Sequence, residues 1–283
     1  MRAEIKTLVL SLPIILVAIV FFYFPILVAF TDSTQDLDGS YIGFERYLDL
    51  LNNSDFTSAF VFTVEIALIS TFVSVVLSVV IALALRDTFV GKRIALFLNQ
   101  MNVSMPHMIV ALSVLYLLGQ KGFISTVMYN AGQIDTWSEF PLIADSPSPV
   151  GAIVSYCLKF TPFICISVLA VLQSMSQEYE DQSYTLGVGK LKTFFHVTLP
   201  SIWPALMTAG LISFTYAFGS YDVPTVLLDK GVMSTYVYNN YYNYLDPYGI
   251  LKGYAGSVIM AVIVLILSAT FLYISSKRSD ALE

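Results

Sequence analysis

Charge is scarce in this chain of 283 residues, with Asp, Glu, Lys and Arg at 12%, against about a quarter of a soluble globular domain. Hydrophobic residues reach 57%, above the about 45–50% that soluble cores absorb. A water-soluble fold is excluded, and lipid is the remaining solvent for the surplus. Positive charge is scarcer still: 14 Lys and Arg stand against 20 Asp and Glu, a net charge of -6. No basic surface exists to neutralise phosphates, which rules out nucleic-acid binding as a main function. The two cysteines, Cys157 and Cys165, share one apolar run. Eight residues apart on one helix, they lie beyond disulfide reach and read as small buried hydrophobes. Histidine is equally rare. His107 and His196 form no metal-ligand spacing, and no Gly-x-Ser-x-Gly elbow accompanies them, so both read as packed or interfacial side chains.

Long apolar runs, by contrast, are abundant. Six are long enough for the about 20 residues that cross a bilayer core: about 8–30, 60–85, 94–118, 150–172, 203–228 and 254–275. The expectation is an all-α integral membrane protein with six transmembrane helices, a single domain over 1–283. The first run follows Arg2 and Lys6, yet it is too long for a signal-peptide core and no small-x-small site follows Phe30, so it is expected to be retained. Turn residues and charge separate the runs.

Orientation follows from the retention of Lys and Arg on cytoplasmic flanks. With the N-terminus inside, Arg2, Lys6, Arg86, Lys92, Arg93, Lys190, Lys192, Lys277 and Arg278 lie inside, and Arg46, Lys121, Lys230 and Lys252 outside. Both termini are therefore expected in the cytoplasm. Acidic residues, among them Asp32, Asp36, Asp38, Asp49 and Asp55, gather outside, a face that attracts cations.

The longest inner loop, 177–200, carries a pattern. Leu186, Leu191, Phe194, Phe195, Val197 and Leu199 recur at helical spacing with Lys190, Lys192 and His196 between them, which predicts short amphipathic helices on the inner surface. Gly187 and Gly189 are expected to break them, and Pro200 to open the next span where a missing N–H costs little. Gly189-Lys190 is no phosphate-binding loop: Leu191 follows it, and Tyr184 stands where the first glycine should be.

Asp181, Gln182, Ser183, Gly187, Val197, Leu199 and Pro200, with Glu180 as a second acid, have the spacing of a known loop signature. The loop resembles that of permease subunits of binding-protein-dependent type I ABC importers, and it precedes the penultimate span as in that family. Gln182 and Ser183 depart from the family's usual alanines. The resemblance implies a cytoplasmic coupling helix that docks on a separate ATP-hydrolysing subunit, with Glu180, Asp181, Ser183, Gly187, Val188, Gly189, Lys190, Leu199 and Pro200 in that coupling. It further implies two ATPase subunits that hold ATP and Mg, no cofactor in this chain, a second permease subunit identical or homologous, and an extracytoplasmic solute-binding protein. The location implied is the inner membrane of a prokaryote.

Ionisable groups within spans are costly in hydrocarbon, about 2.5–3.5 kcal/mol each on insertion scales, and so mark a cavity or a partner. Glu65 and Lys159 are such groups, either an ion pair between spans or separate members of the pathway. Asn99, Gln100, Asn102 and Ser104 ahead of Pro106 either bond between helices or line a polar path. Apolar residues resume after a break at Gly219–Asp222, so the fifth span reads as interrupted, with Tyr221 and Asp222 at a pathway or gate. That stretch is similar to polyamine-, iron- and thiamine-type permeases, which implies a small polar solute with a polyamine-like cation ahead of a sugar. Six tyrosines between 236 and 248 suit an interfacial belt or an outer contact surface. A stand-alone channel, a secondary carrier and a membrane enzyme are the alternatives; a carrier would show an internal repeat and an enzyme convergent nucleophile, base or metal residues.

Overall fold

The computed structural model describes residues 2–176, 178–229 and 231–279. Gln177 and Lys230 lie outside the described residues, as do the side chains of Arg2, Lys6, Lys277 and Arg278. The described residues are helical or irregular, with isolated bridges at Gln35–Tyr41 and Ser146–Leu228 in place of any strand. Among the described residues six helical stretches are long and apolar enough to cross a membrane: Leu10–Ser33, Ser54–Arg86, His107–Asn130, Val150–Ser174, Lys190–Gly219 and Gly249–Phe271, here spans one to six.

Proline decides most of the irregularities. Span one widens to a π-turn at Ile19–Tyr23 just before Phe24–Pro25, and span five does the same at Phe194–Thr198 just before Leu199–Pro200. A proline lacks the N–H that closes an α-turn, and a π-turn ahead of it absorbs the mismatch. Span five therefore begins inside the 177–200 loop, at Lys190. The second short loop helix expected from the sequence is its first turns, Lys190–Thr193.

The 94–118 run, expected as one span, is two helices. Lys92–Ser104 ends at Met105, extended at ψ 138°, and Pro106 opens His107–Leu118. Proline disfavours α conformation in the residue before it and offers no N–H to continue the ladder; at Met105, unlike at Phe24 and Leu199, the chain takes the extended conformation and the helix ends. The membrane-length piece lies beyond the break, so Asn99, Gln100, Asn102 and Ser104 belong to the helix before span three.

The described residues pack as two compact units, those of 2–60 with 233–269, and those of 61–232 with 270–279. In the first, Arg46 is buried and its Nη1 donates to the carbonyls of Ser33 at 2.7 Å and Gln35 at 2.8 Å. A cation there satisfies carbonyls that the end of helix Phe24–Ser33 leaves unpaired and meets the negative end of its dipole. Helix Met233–Tyr241 lies so close to span six at Gly256 that a Cβ there would fall 2.7 Å from Val237 Cγ2. Tyr238, Tyr241, Tyr242, Tyr244 and Tyr248 are all exposed in this region.

Span four is the core of the second unit. Ala152, Tyr156, Phe160, Ile164, Cys165, Val168 and Leu172 form its buried face.

Candidate functional site

The loop ahead of span five is built by local chain chemistry. Helix Glu178–Thr185 begins with Glu178, Glu180 and Asp181, acids placed where the dipole favours them. It ends on Gly187, whose φ of 77° is left-handed. Val188 N–H donates to Ser183 O at 3.1 Å and Gly187 N–H to Tyr184 O at 3.0 Å, the two bonds of a Schellman cap. Glycine is needed there because a Cβ costs about 1–2 kcal/mol in that conformation. Gly189 differs from expectation: its φ of -71° is open to any residue, so one glycine makes the turn and the other starts the next helix.

Side chains then fix the turn against the spans. Ser183 Oγ and Thr193 Oγ1 share a hydrogen bond of 2.8 Å. Glu180 points inward. Its carboxylate accepts from Thr198 Oγ1 at 2.7 Å and takes both oxygens to Arg86 Nη1, at 2.7 and 2.9 Å. Burial pushes the Glu180 carboxyl up, but the hydrogen bonds from Thr198 and Arg86 and the Arg86 charge outweigh it and hold the group below its ordinary value. An open pocket of about 480 Å³ lies here, lined by Arg86, Glu180, Asp181, Tyr184, Lys190 and Leu191 among others. Around it the tip of the loop is apolar and bare, with Leu186 82% and Leu191 73% exposed, and Tyr179, Tyr184 and Phe195 also outside. Asp181, Gly187, Gly189 and Lys190 are exposed, Ser183, Val188 and Leu199 half-buried, and Pro200 sits exposed in the first turn after the π-turn.

The second cluster surrounds the break before span three. Lys159, 7% exposed, extends its ammonium to the carbonyls of Asn102 at 3.0 Å, Val103 at 2.8 Å and Met105. Asn102 Nδ2 returns a bond of 2.6 Å to Leu158 O. The ammonium thus caps the C-terminal end of helix Lys92–Ser104, as Arg46 caps Phe24–Ser33. Beside it is a cavity of about 370 Å³, walled by Lys159, Phe160, Phe163, His107, Ser213 and Tyr216 among others. His107 stacks on Tyr216 with ring centroids 3.9 Å apart. Tyr216 donates to Asp222 Oδ2 at 3.3 Å, and Ser220 to Asp222 Oδ1 at 2.6 Å. Asp222 opens the short helix Asp222–Leu227 after the break in span five, and Tyr221 at that break is exposed.

The structure brings Lys159 and Asp222 to one neighbourhood and leaves Glu65 out of it. No ion pair joins Glu65 to Lys159 among the described residues; Glu65 is exposed on span two. Residue spacing did not reveal Arg86, Thr198, Tyr216 or the stacked His107 as members of these clusters. Arg86 is separated from Glu180 by 94 residues, and its one sequence signal is a basic residue at the end of a span.

Among the described residues the chain is a helical membrane protein of six spans, the third interrupted at Gly119–Gly122 and the fifth followed at Ser220 by a break and a short helix, with a capped helical loop ahead of the fifth. Residues 74–281 match the family described as binding-protein-dependent transport system inner membrane components. The chain belongs to that family, and it is a permease of an ABC importer rather than an enzyme. It is 25% identical over 222 residues to a probable sulfate transport system permease protein of Marchantia polymorpha, covering 78% of this chain and 72% of the relative. It is also 25% identical over 283 residues to a trehalose/maltose transport system permease protein of Thermococcus litoralis, covering 95% and 93%. Among solved structures, its fold matches a chain of a bacterial ABC transporter that imports the acidic polysaccharide alginate, at TM-score 0.76 and 18% identity, over 98% of this chain and 96% of that one.

Proposed function

We propose that the chain forms half of a translocation pathway and couples it to ATP hydrolysis on a separate subunit through the loop at 178–200. The observation that carries this reading is the loop itself: a rigidly capped helix whose apolar tip, Leu186 and Leu191, has no cover within its own unit. A short helix so held can be gripped by a partner and pass on a rigid-body shift. Asp181, Ser183, Gly187, Val188, Gly189 and Lys190 form or support that docking face, and Leu199 and Pro200 start the span that receives the movement. ATP and Mg belong to the docked subunits, two per transporter. A second permease subunit completes the pathway, and a binding protein delivers solute from outside. The loop and both termini face the cytoplasm of a prokaryotic cell, as the Lys and Arg distribution supports.

The solute path runs by the break before span three, where irregular backbone lines a cavity as it must in a membrane. Lys159 shapes that cavity through the helix end it caps, and Asp222 and Tyr221 sit at the break in span five. Glu65, costly against lipid, faces the second subunit or the path. The solute is small and polar. A polyamine-like cation draws support from the acidic outer loops and from the resemblance of the stretch after Phe218, while the relatives above are named for sulfate and for trehalose/maltose. The test is co-purification of the ATPase subunit with wild type and with Leu186→Asp plus Leu191→Asp. Retention by wild type and loss by the variant supports docking at this face; equal retention refutes it.

A further inference from the structure

We infer that Arg86, Glu180 and Thr198 form a lock that ties the coupling helix to the inner ends of spans two and five, with Glu180 as a positioning residue instead of a contact for the ATPase. This rests on the coupling reading above. Three elements converge on one carboxylate: Arg86 is the last residue of span two, Glu180 lies in the first turn of helix Glu178–Thr185, and Thr198 ends the π-turn of span five. The Arg86 and Glu180 side chains are 12% and 14% exposed, so the pair is largely shielded from solvent at the floor of the pocket. Arg86 Nη2 is buried without a hydrogen-bond partner, so among the described residues the guanidinium depends on Glu180 for its charge compensation. Removing one partner of such a pair leaves a buried unpaired charge, which is far worse than removing both.

The geometry gives the lock a mechanical role. The neighbouring Asp181 is exposed and free to face a partner, whereas Glu180 is turned to the spans. A shift of the coupling helix pulls directly on Arg86 and Thr198 and so moves two spans together. The Schellman turn and the Ser183–Thr193 bond fix the loop's own shape, so loss of the lock should leave a formed loop that transmits poorly.

The experiment uses the complete complex of permease, ATPase and binding protein, reconstituted in liposomes. It compares wild type with Glu180→Gln, Arg86→Met, their double variant and Thr198→Val. The expected result is intact co-purification of the ATPase in all, normal basal hydrolysis, and solute-stimulated hydrolysis reduced about tenfold in Arg86→Met and Glu180→Gln. The double variant should be no worse than either single, because pairs that act together are not additive. Thr198→Val, which keeps the ion pair, should lose less and remains informative if the charge variants fail to assemble. Wild-type stimulation in both charge variants would overturn the lock while leaving the coupling reading intact. Loss of the ATPase from Glu180→Gln but not from Arg86→Met would also overturn it, by making Glu180 a docking contact. A wild-type complex without solute-stimulated hydrolysis would overturn the coupling reading and the lock together.

Discussion

Replacing Lys159 with Met tests what a buried cation does beside the break ahead of span three. The substitution keeps the length of the side chain and removes the ammonium from the carbonyls of Asn102, Val103 and Met105. Hydrogen bonds within membranes average about 0.6 kcal/mol, so the three contacts set a lower bound of about 2 kcal/mol. Charged hydrogen bonds in proteins contribute about 1.5–3 kcal/mol each net of desolvation, which puts the loss for three of them between about 4.5 and about 9 kcal/mol. Either value exceeds the about 1.4 kcal/mol that changes an equilibrium tenfold. The assay is the thermal midpoint of the purified complex in detergent, read by fluorescence-detected size exclusion. At about 2–4 °C per kcal/mol for chains of this size, the variant should melt at least about 4 °C lower. Lys159→Gln, whose amide can still donate, should fall between. A midpoint within about 1 °C of wild type would refute the capping role. A second result would refute it differently: if Glu65→Gln restored the stability of Lys159→Met, the two would be an ion pair, whereas Glu65 is exposed and should give no rescue.

Other expectations follow from the same geometry. Gly187→Ala should cost about 1–2 kcal/mol of loop stability through its φ of 77° alone, since a Cβ there meets nothing within 4 Å, and Gly187→Asn should cost less; wild-type solute-stimulated hydrolysis in Gly187→Val would contradict this. The Glu180 carboxyl is held low, so its lock is present above the ordinary carboxylate range and lost only as pH falls through the lowered value. Between about pH 8 and about pH 6 the ratio of wild-type to Glu180→Gln stimulated hydrolysis should therefore stay constant, and a fall in that ratio would contradict the ionisation assigned. A cysteine at Lys192, with Cys157 and Cys165 replaced, should be labelled only by reagents that enter sealed cells; labelling by an impermeant reagent would reverse the topology.

Much of this architecture was legible because its causes are local. Hydropathy over about 20 residues sets a span, and the turn at Gly187 is a neighbour effect of the backbone. The interruption after Gly219 was legible for the same reason, as polar residues between two apolar stretches. The break at Met105–Pro106 is equally local, yet the apolar residues on both sides hide it in a hydropathy reading; the proline was the signal to weigh. The pairings are another matter. Lys159 with the carbonyls of 102, 103 and 105, and Arg86 with Glu180, join residues from different helices, so no spacing along the chain encodes them. From the sequence Lys159 reads as either an ion-pair partner of Glu65 or a pathway residue; the end of a helix supplies its partners, as carbonyl dipoles. Glu180 and Asp181 are adjacent in the loop signature, and only the packing of span two against the loop tells which faces inward.

If an ATP-hydrolysing subunit grips this chain at the loop 178–200, cross-linking from the loop's tip detects it directly. A photoreactive residue in place of Leu186, illuminated in native membranes, should give one major product that contains the ATPase subunit, with a yield that changes when ATP is added. A product joining Leu186 only to lipid or to a second permease, unaffected by ATP, would contradict the account.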